Sequence, residues 1–368
     1  MKGVKLRIRP ATAGDYDAVA NLLNRIFPPV DIEKRKRLWR WRHELNPARN
    51  SKIPPFLVAE KNERIAGVHG LVPMLFKVGN NTLTVVCSCD YAVQPDARSA
   101  GMKLKLAAFS KEISPLHLST SANRAANKIT LALGGKELET GKLKLLNVLK
   151  YHRLIYSKLK GKTGGGIARF LGTIMGGPLN LYSGLRGHTG KLEIDPAYKL
   201  EPVSAFDQKH DDFWNGISAD YDICVIRDSR YLNWRYIQYP FGKIQCRELL
   251  RDENVKGILA VHHSIDEDGL RFTAVLETLV SRNDNKSLNI LLQQAVKAAV
   301  QNGSHYITSA PHDPQNLEYY RKIGFRIKTA EYSPFTYKNN SPIGENFLAD
   351  ERRWYFSLGD GDICYYFE

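Results

Sequence analysis

The chain repeats itself, and the repeat restricts its architecture more than any single motif does. Trp39-Arg40-Trp41-Arg42, with Pro47 downstream, has a counterpart in Asn233-Trp234-Arg235-Tyr236, with Pro240. FLVAEKNERIAGVHG at 56–70 is echoed by RELLRDENVKGILAVHH at 247–263. The run Val86–Val93 corresponds to Val275–Val280, with acidic Asp90 and Glu277 each three residues before a valine. LKLAAFSKE (104–112) matches LLQQAVKAA (291–299), and His117-Leu118-Ser119-Thr120 matches His305-Tyr306-Ile307-Thr308. Both copies then end in a helix pattern before glycine. These features keep one order, which predicts two copies of a single α/β unit with mixed sheets and flanking helices. At 368 residues the length also suits two cores better than one. The expected division is 1–140 for the first domain, 141–200 for a basic, Gly-rich helical linker, and 201–368 for the second.

Within the first copy, residues 5–27 read as a short strand, a turn and an amphipathic helix. Ala18, Val19, Leu22, Leu23 and Ile26 recur at helical spacing after the cap candidates Thr12 and Asp15. Phe56–Glu60 and Arg64–Val72 form a hairpin pattern around Lys61-Asn62-Glu63. The basic segment Lys34–Arg42 (KRKRLWRWR) has two readings. Its tryptophans could stack on bases while its cations meet phosphate. The plainer reading is a helix with Trp39 and Trp41 partly buried and the cations solvated.

The stretch Cys87–Phe109, CSCDYAVQPDARSAGMKLKLAAF, carries the chemistry. A β-leaning run turns at Gln94-Pro95-Asp96-Ala97, passes Arg98-Ser99-Ala100-Gly101, and continues as Met102, Leu104, Leu106, Ala107 and Ala108, which suit a helix. A strand entering a helix this way leaves successive N–H groups free at the positive end of the helix dipole, a seat for phosphate. Arg98 adds charge there, and Gly101 allows close approach to the backbone.

The spacing Val93-x-Pro95-x-x-Arg98-x-x-Gly101 resembles the acyl-CoA-binding signature of the GNAT acyltransferase superfamily, V-x-P-x-x-R/Q-x-x-G-x-G/A. The opening IRPAT followed by an amphipathic helix is similar too, and the repeat makes the resemblance one to tandem GNAT proteins. Among these it looks most like two-domain members found beside bacterial polysaccharide genes, including the C-terminal W-Y-F-S-x-G-D-G-D at Trp354–Asp362. The resemblance implies acetyl-CoA or another acyl-CoA as co-substrate, held at Val93, Arg98, Ser99, Ala100, Gly101, Met102 and Lys103. It implies N-acyl transfer to an amine, with an amino sugar or cell-envelope polysaccharide precursor as the acceptor. The last small position of the signature is Lys103 here, a departure. The copies have also decayed differently. The first lacks the family's closing Y-x-K-x-G-F, having Leu131-Ala132-Leu133-Gly134-Gly135. The second keeps Tyr320-Arg321-Lys322-Ile323-Gly324-Phe325 but has Ser281–Ser287, without glycine, at the loop.

Thioester aminolysis needs a deprotonated amine, a polarised carbonyl and a stabilised thiolate. By the resemblance, Asp90 is the candidate acid–base residue and Tyr320 the candidate thiolate donor. Asp90 as an ordinary polar strand residue and Tyr320 as helix packing remain open. His69, His262 and His263 end hairpin strands and read as structural. No metal-ligand cluster is legible.

The formal net charge of +15 implies an acidic partner, and CoA phosphates, nucleic acid, anionic lipid and anionic polysaccharide all qualify. Peptidoglycan-bridge transferases also use tandem GNAT domains, with aminoacyl-tRNA, so tRNA stands as the alternative donor. A decayed CoA-binding protein is the third reading. No membrane span is legible. Lys142–Lys162 is basic with apolar residues at helical spacing, which suits either packing on the two domains or contact with an anionic surface. Five cysteines without metal-like spacing, and no signal peptide, suggest the cytoplasm.

Overall fold

The computed structural model describes residues 6–163, 165–183, 195–310 and 314–362. Its first half runs β1 (Leu6–Pro10), α1 (Tyr16–Ile26), α2 (Ile32–Trp39), β2 (Phe56–Lys61), β3 (Arg64–Val78) and β4 (Asn81–Val93). Then come α3 (Ser99–Ala108), β5 (Leu116–Ser119), α4 (Arg124–Ala132) and β6 (Lys136–Glu137). Next are β7 (Leu143–Val148) and two helices, α5 (Tyr151–Thr163) and α6 (Gly165–Ser183). The second half continues through β8 (Tyr198–Pro202), α7 (Gln208–Ile217), β9 (Ile223–Val225), α8 (Ser229–Leu232), β10 (Gln245–Arg251) and β11 (Asn254–Ile265). It ends with β12 (Arg271–Val280), α9 (Asn285–Gln301), β13 (Tyr306–Ser309), α10 (Leu317–Lys322), β14 (Arg326–Thr329), β15 (Thr336–Asn339), α11 (Glu345–Ala349) and β16 (Trp354–Tyr355).

The described strands form two mixed sheets. The first has the order β1-β2-β3-β4-β5-β15-β6, with β9 on the far end of β3 and β16 on β9. The second has the order β14-β7-β13-β12-β11-β10-β8. The repeat is therefore real at the level of pairing. In both sheets a hairpin (β3–β4, β11–β12) is followed by a helix and a strand parallel to its second arm. Gly67 pairs with Val93 and Gly257 with Val280, which sets Asp90 and Glu277 at equivalent positions. Ser88 pairs with Ser119 and Val275 with Ser309. The fifth strands thus align two residues away from the register that their histidines suggest.

Each sheet borrows a strand from the other half. β15 lies between β5 and β6, and β7 between β13 and β14. Leu143–Val148 falls in the segment expected to be helical. Leu145, Asn147 and Val148 are buried while Lys144 is exposed, so the start of the run follows a two-residue period, and both of its edges are hydrogen-bonded by strands of the other half. Helix begins only at Tyr151.

A single apolar core runs between the sheets, joining Val72, Met74 and Phe76 of β3 with Ile258, Leu276 and Leu279 of the second hairpin. Outside it, α1 covers β2 and β3 through Val19, Leu22 and Leu23. α3 packs on the first sheet through Ala100, Leu104 and Ala108. α9 and α10 cover the second sheet. In the segment Lys34–Arg42 the tryptophans are more deeply buried than expected, and two of the cations expected in solvent, Arg35 and Arg42, are buried as well. Arg35 donates to Asn24 Oδ1 at 2.7 Å, and Trp41 stacks on Trp234 at the junction of the halves.

Candidate active site

β4 and β5 pair over only three residues, Val86–His117 to Ser88–Ser119, and then part. A cavity of about 530 Å³ opens where they part. Its wall includes Ser88, Cys89, Asp90 and Tyr91 from β4, Ser119 at the end of β5, and Ser121 and Asn123 beyond it. Lys105 of α3 and His69 of β3 complete that side, while Phe241 and Glu267 reach in from the second half.

A bulge aims the β4 residues. Val68 pairs with Ala92 and Gly70 with Cys89, so two residues, Asp90 and Tyr91, stand against His69 alone. Asp90 takes the left-handed region, with φ of 47°, a conformation that costs a non-glycine residue free energy and turns its side chain from the strand's regular alternation. Gly70 is required opposite, because a Cβ there would lie 2.6 Å from Cys89 Sγ. Asp90 is buried, and its carboxylate accepts from the buried Arg42 guanidinium. Arg42 sits on the five-residue turn Arg40–Glu44 that follows α2.

A second carboxyl shares the cavity. Asp362, from the C-terminal segment, is buried and accepts from Thr120 Oγ1 at 2.9 Å. Burial pushes its pKa up and the Asp90 charge adds to that, against hydrogen bonds from Ser121 and Thr120 and the attraction of Arg42. His69 is fully buried, and burial holds its pKa well below the usual histidine range. Neither of its ring nitrogens has a hydrogen-bond partner among the described residues. Its ring meets Tyr91 edge-on at 5.1 Å. Burial raises the Tyr91 pKa to about 12 and lowers that of Lys105 to about 8. Lys105 Nζ donates to Ala126 O at 2.8 Å and lies 5.0 Å from the Tyr91 ring centroid.

The expected phosphate loop lies at the outer end of β4. Val93 pairs with Gly67, and Arg98 occupies the N-cap of α3. No side chain caps that helix, and its first turn has no acid. Arg98, Ser99, Met102 and Lys103 are exposed, while Ala100 and Gly101 are buried. Glycine at 101 answers to the protein itself: a Cβ would stand 2.7 Å from Tyr91 Oη. The corresponding loop of the second half is occupied by carboxylates. Ser281 Oγ and Arg282 N donate to Asp220 at 2.7 and 3.1 Å, and Asp284 caps α9 through Ser287 N and Oγ at 2.9 and 2.6 Å. Those carboxylates disfavour an anion at the second loop, whereas the uncapped first turn of α3, without an acid, is compatible with one.

The second half is closed at the position equivalent to the cavity. Glu277 is fully buried and accepts from Arg227 Nε at 2.9 Å and from Tyr355 Oη at 2.6 Å. Arg227 also donates to Asp360, which accepts from Tyr231 Oη at 2.7 Å. Gly359 touches β12 directly, since a Cβ there would meet Leu276 O at 2.9 Å. The segment Trp354–Asp362 thus fills the second unit with Asp360 and supplies Asp362 to the first.

The two expected catalytic residues are not brought together. Tyr320 is buried in the core under α9, edge-on to Phe325 at 5.4 Å, with Oη 3.4 Å from Thr278 Oγ1. It does not line the cavity that holds Asp90. Its counterpart in the first half is Thr130. Gly135 N donates to Thr130 O, and Phe325 N to Tyr320 O, around glycines of positive φ. Asp362, His69, Tyr91 and Lys105 are cavity residues that the motifs did not single out, although Asp362 stands in the C-terminal run already noted.

In the first unit the mixed sheet thus parts over a cavity holding two carboxyls, and the uncapped helix α3 packs on the same sheet. Residues 7–113 match the family model described as acetyltransferase (GNAT) domain. No curated protein matches the chain. Among solved structures, a GCN5-related N-acetyltransferase from Anabaena variabilis is similar at 11% identity and a TM-score of 0.56. That match covers 92% of this chain and 73% of the other. The corresponding protein from Kribbella flavida has 12% identity and a TM-score of 0.53, covering 91% and 71%. Saccharomyces cerevisiae N-myristoyltransferase, solved with myristoyl-CoA and inhibitors, has 10% identity and a TM-score of 0.56, covering 95% and 85%. At these identities the likeness is one of fold, and it extends over both units.

Proposed function

We propose that the chain transfers an acyl group from acyl-CoA to the amine of an amino sugar or related cell-envelope polysaccharide precursor. The observation that carries this is the pair Asp90 and Asp362 on the wall of a cavity that Tyr91 and Lys105 of α3 also line. Acyl-CoA supplies the activated thioester. Arg98, Lys103 and the N–H groups at the start of α3 hold its phosphates, and Val93 lies beside its arm.

Asp90, fixed by Arg42, attracts the acceptor's ammonium group, and Asp362 takes the proton. A carboxyl whose pKa is raised by burial is better matched to proton transfer near neutral pH than an ordinary one. Tyr91, which keeps its proton to about pH 12, is the phenol on the cavity wall suited to stabilise a thiolate. The hydroxyls of Ser88, Ser119 and Ser121, with the carboxylate of Glu267, suit an acceptor bearing both an ammonium and hydroxyl groups. The buried thiols of Cys87, Cys89, Cys224 and Cys246 suit a reducing cytoplasm, where acyl-CoA is available. The tRNA reading gains nothing from Lys34–Arg42, whose tryptophans are buried.

Thiol release from acetyl- and longer acyl-CoAs, measured against a panel of amino sugars, tests the reading. Transfer to an amino sugar that falls at least about a hundredfold in Asp90→Asn and in Asp362→Asn supports it. CoA binding without turnover on any amine would leave a binding protein, and transfer from aminoacyl-tRNA would overturn the donor.

A further inference from the structure

We propose that the α5–α6 hairpin is a docking surface for an anionic lipid bilayer. The hairpin is built inside out for water. Gly172 and Gly176 of α6 face α5, where a Cβ would come within 2.9 Å of His152 O and 2.4 Å of His152 Cα respectively. The large apolar side chains point the other way: Ile167, Phe170, Ile174 and Met175 are 59%, 65%, 54% and 55% exposed. With about 100° between successive residues, Ile167, Phe170 and Ile174 fall on one stripe, opposite the two glycines. A helix that spends its small residues on its close neighbour and turns phenylalanine and isoleucine outward has its apolar partner outside the protein.

Charge selects the partner. Between Glu139 and Glu193 the sequence has ten Lys and Arg and no Asp or Glu. At the chain's own average of 38 acids in 368 residues, that stretch would hold about five. Arg153, Lys158 and Lys160 are exposed along α5. An apolar stripe beside an exclusively cationic helix fits phospholipid headgroups that carry negative charge, with the stripe entering the acyl boundary. A second copy of the chain would bring the same cations against themselves. No described helix is long and apolar enough to cross a membrane, so the contact is interfacial. Lys160 also donates to Asp268 O at 3.2 Å, in the turn that carries Glu267 to the cavity wall, so the hairpin is tied to the rim of the site.

Flotation of the full chain with vesicles tests this. Binding is expected to phosphatidylcholine vesicles containing phosphatidylglycerol, not to phosphatidylcholine alone, and to weaken with salt. Phe170→Asp combined with Ile174→Asp should lower the bound fraction at least about tenfold, with no change in melting temperature or in turnover of a soluble amine. Phe170→Trp, which keeps the apolar face, should shift its emission to the blue on phosphatidylglycerol vesicles and be quenched by brominated acyl chains. Wild-type chain that stays unbound, a double Asp variant that binds like wild type, or a Phe170→Trp variant that brominated chains leave unquenched each overturns the proposal. So does a wild-type dimer that the double Asp variant dissociates and that ignores vesicles, since a second copy then covers the face.

Discussion

Trp41 and Trp234 each donate their indole N–H to the other's backbone carbonyl, both at 2.8 Å, with their rings stacked 4.8 Å apart. Each stands second in a five-residue turn, Arg40–Glu44 or Asn233–Ile237, so the relationship is an internal twofold. The exchanged strands β7 and β15 obey the same symmetry. The halves consequently cannot separate without opening both sheets and the core between them.

Truncating either indole should therefore weaken the whole molecule. Trp41→Ala and Trp234→Ala are each expected to cost ~3–5 kcal/mol, the range for losing a large buried aromatic. Urea unfolding followed by circular dichroism and by fluorescence should give one coincident transition for wild type and both variants. Two separable transitions would contradict the shared core.

The contrast between the two helix starts predicts where CoA binds. Arg98→Glu places an acid at the uncapped start of α3 and should weaken CoA binding by ~1–3 kcal/mol, as for a lost charge-assisted bond. Arg282→Glu should leave the affinity unchanged, because Asp220 and Asp284 already occupy that loop. Isothermal titration of both variants decides it, and the opposite pattern would move the site to the second unit.

Tyr320 and Tyr91 can be told apart by rate. Tyr320 does not line the cavity, so Tyr320→Phe should change turnover less than about twofold, whereas Tyr91→Phe should lower kcat at least about tenfold if the phenol assists the thiolate. A large loss from Tyr320→Phe alone would show that Tyr320, and not Tyr91, serves the thiolate.

Much of this was legible in the sequence, for an identifiable reason. Hydrophobic pattern and turn residues are local, so the repeated hairpins, the loop after Val93 and the equivalence of Asp90 with Glu277 all survive in one dimension. The strand exchange is not local. Leu143–Val148 and Thr336–Asn339 are short, and nothing in either run says which sheet it will join. The separation of Asp360 from Asp362 is the same kind of fact. Two residues of one acidic run serve opposite halves, because the chain crosses the interface between them. Tyr320 kept its motif while its position lost access to a cavity, and a motif cannot report that loss.

The pH profile tests the carboxyl pair most directly. Burial, reinforced by the Asp90 charge, raises the Asp362 pKa above the ordinary carboxylate value. A proton acceptor works only when ionised, so kcat/KM should fall as pH drops through that raised value. The sign for stability is opposite. The folded state binds this proton more readily than the unfolded chain, so stability declines as pH rises from the ordinary carboxylate range through the raised value. Asp362→Asn should therefore be at least as stable as wild type at neutral pH, with the advantage gone at pH below the ordinary carboxylate range. The same variant should lose ~10²–10⁴ in kcat together with the acid limb of the profile. Thermal melts and kcat/KM measured across the same pH series separate the two effects. A variant that keeps both its rate and the acid limb would leave Asp90 as the proton acceptor and reduce Asp362 to a structural partner of Thr120.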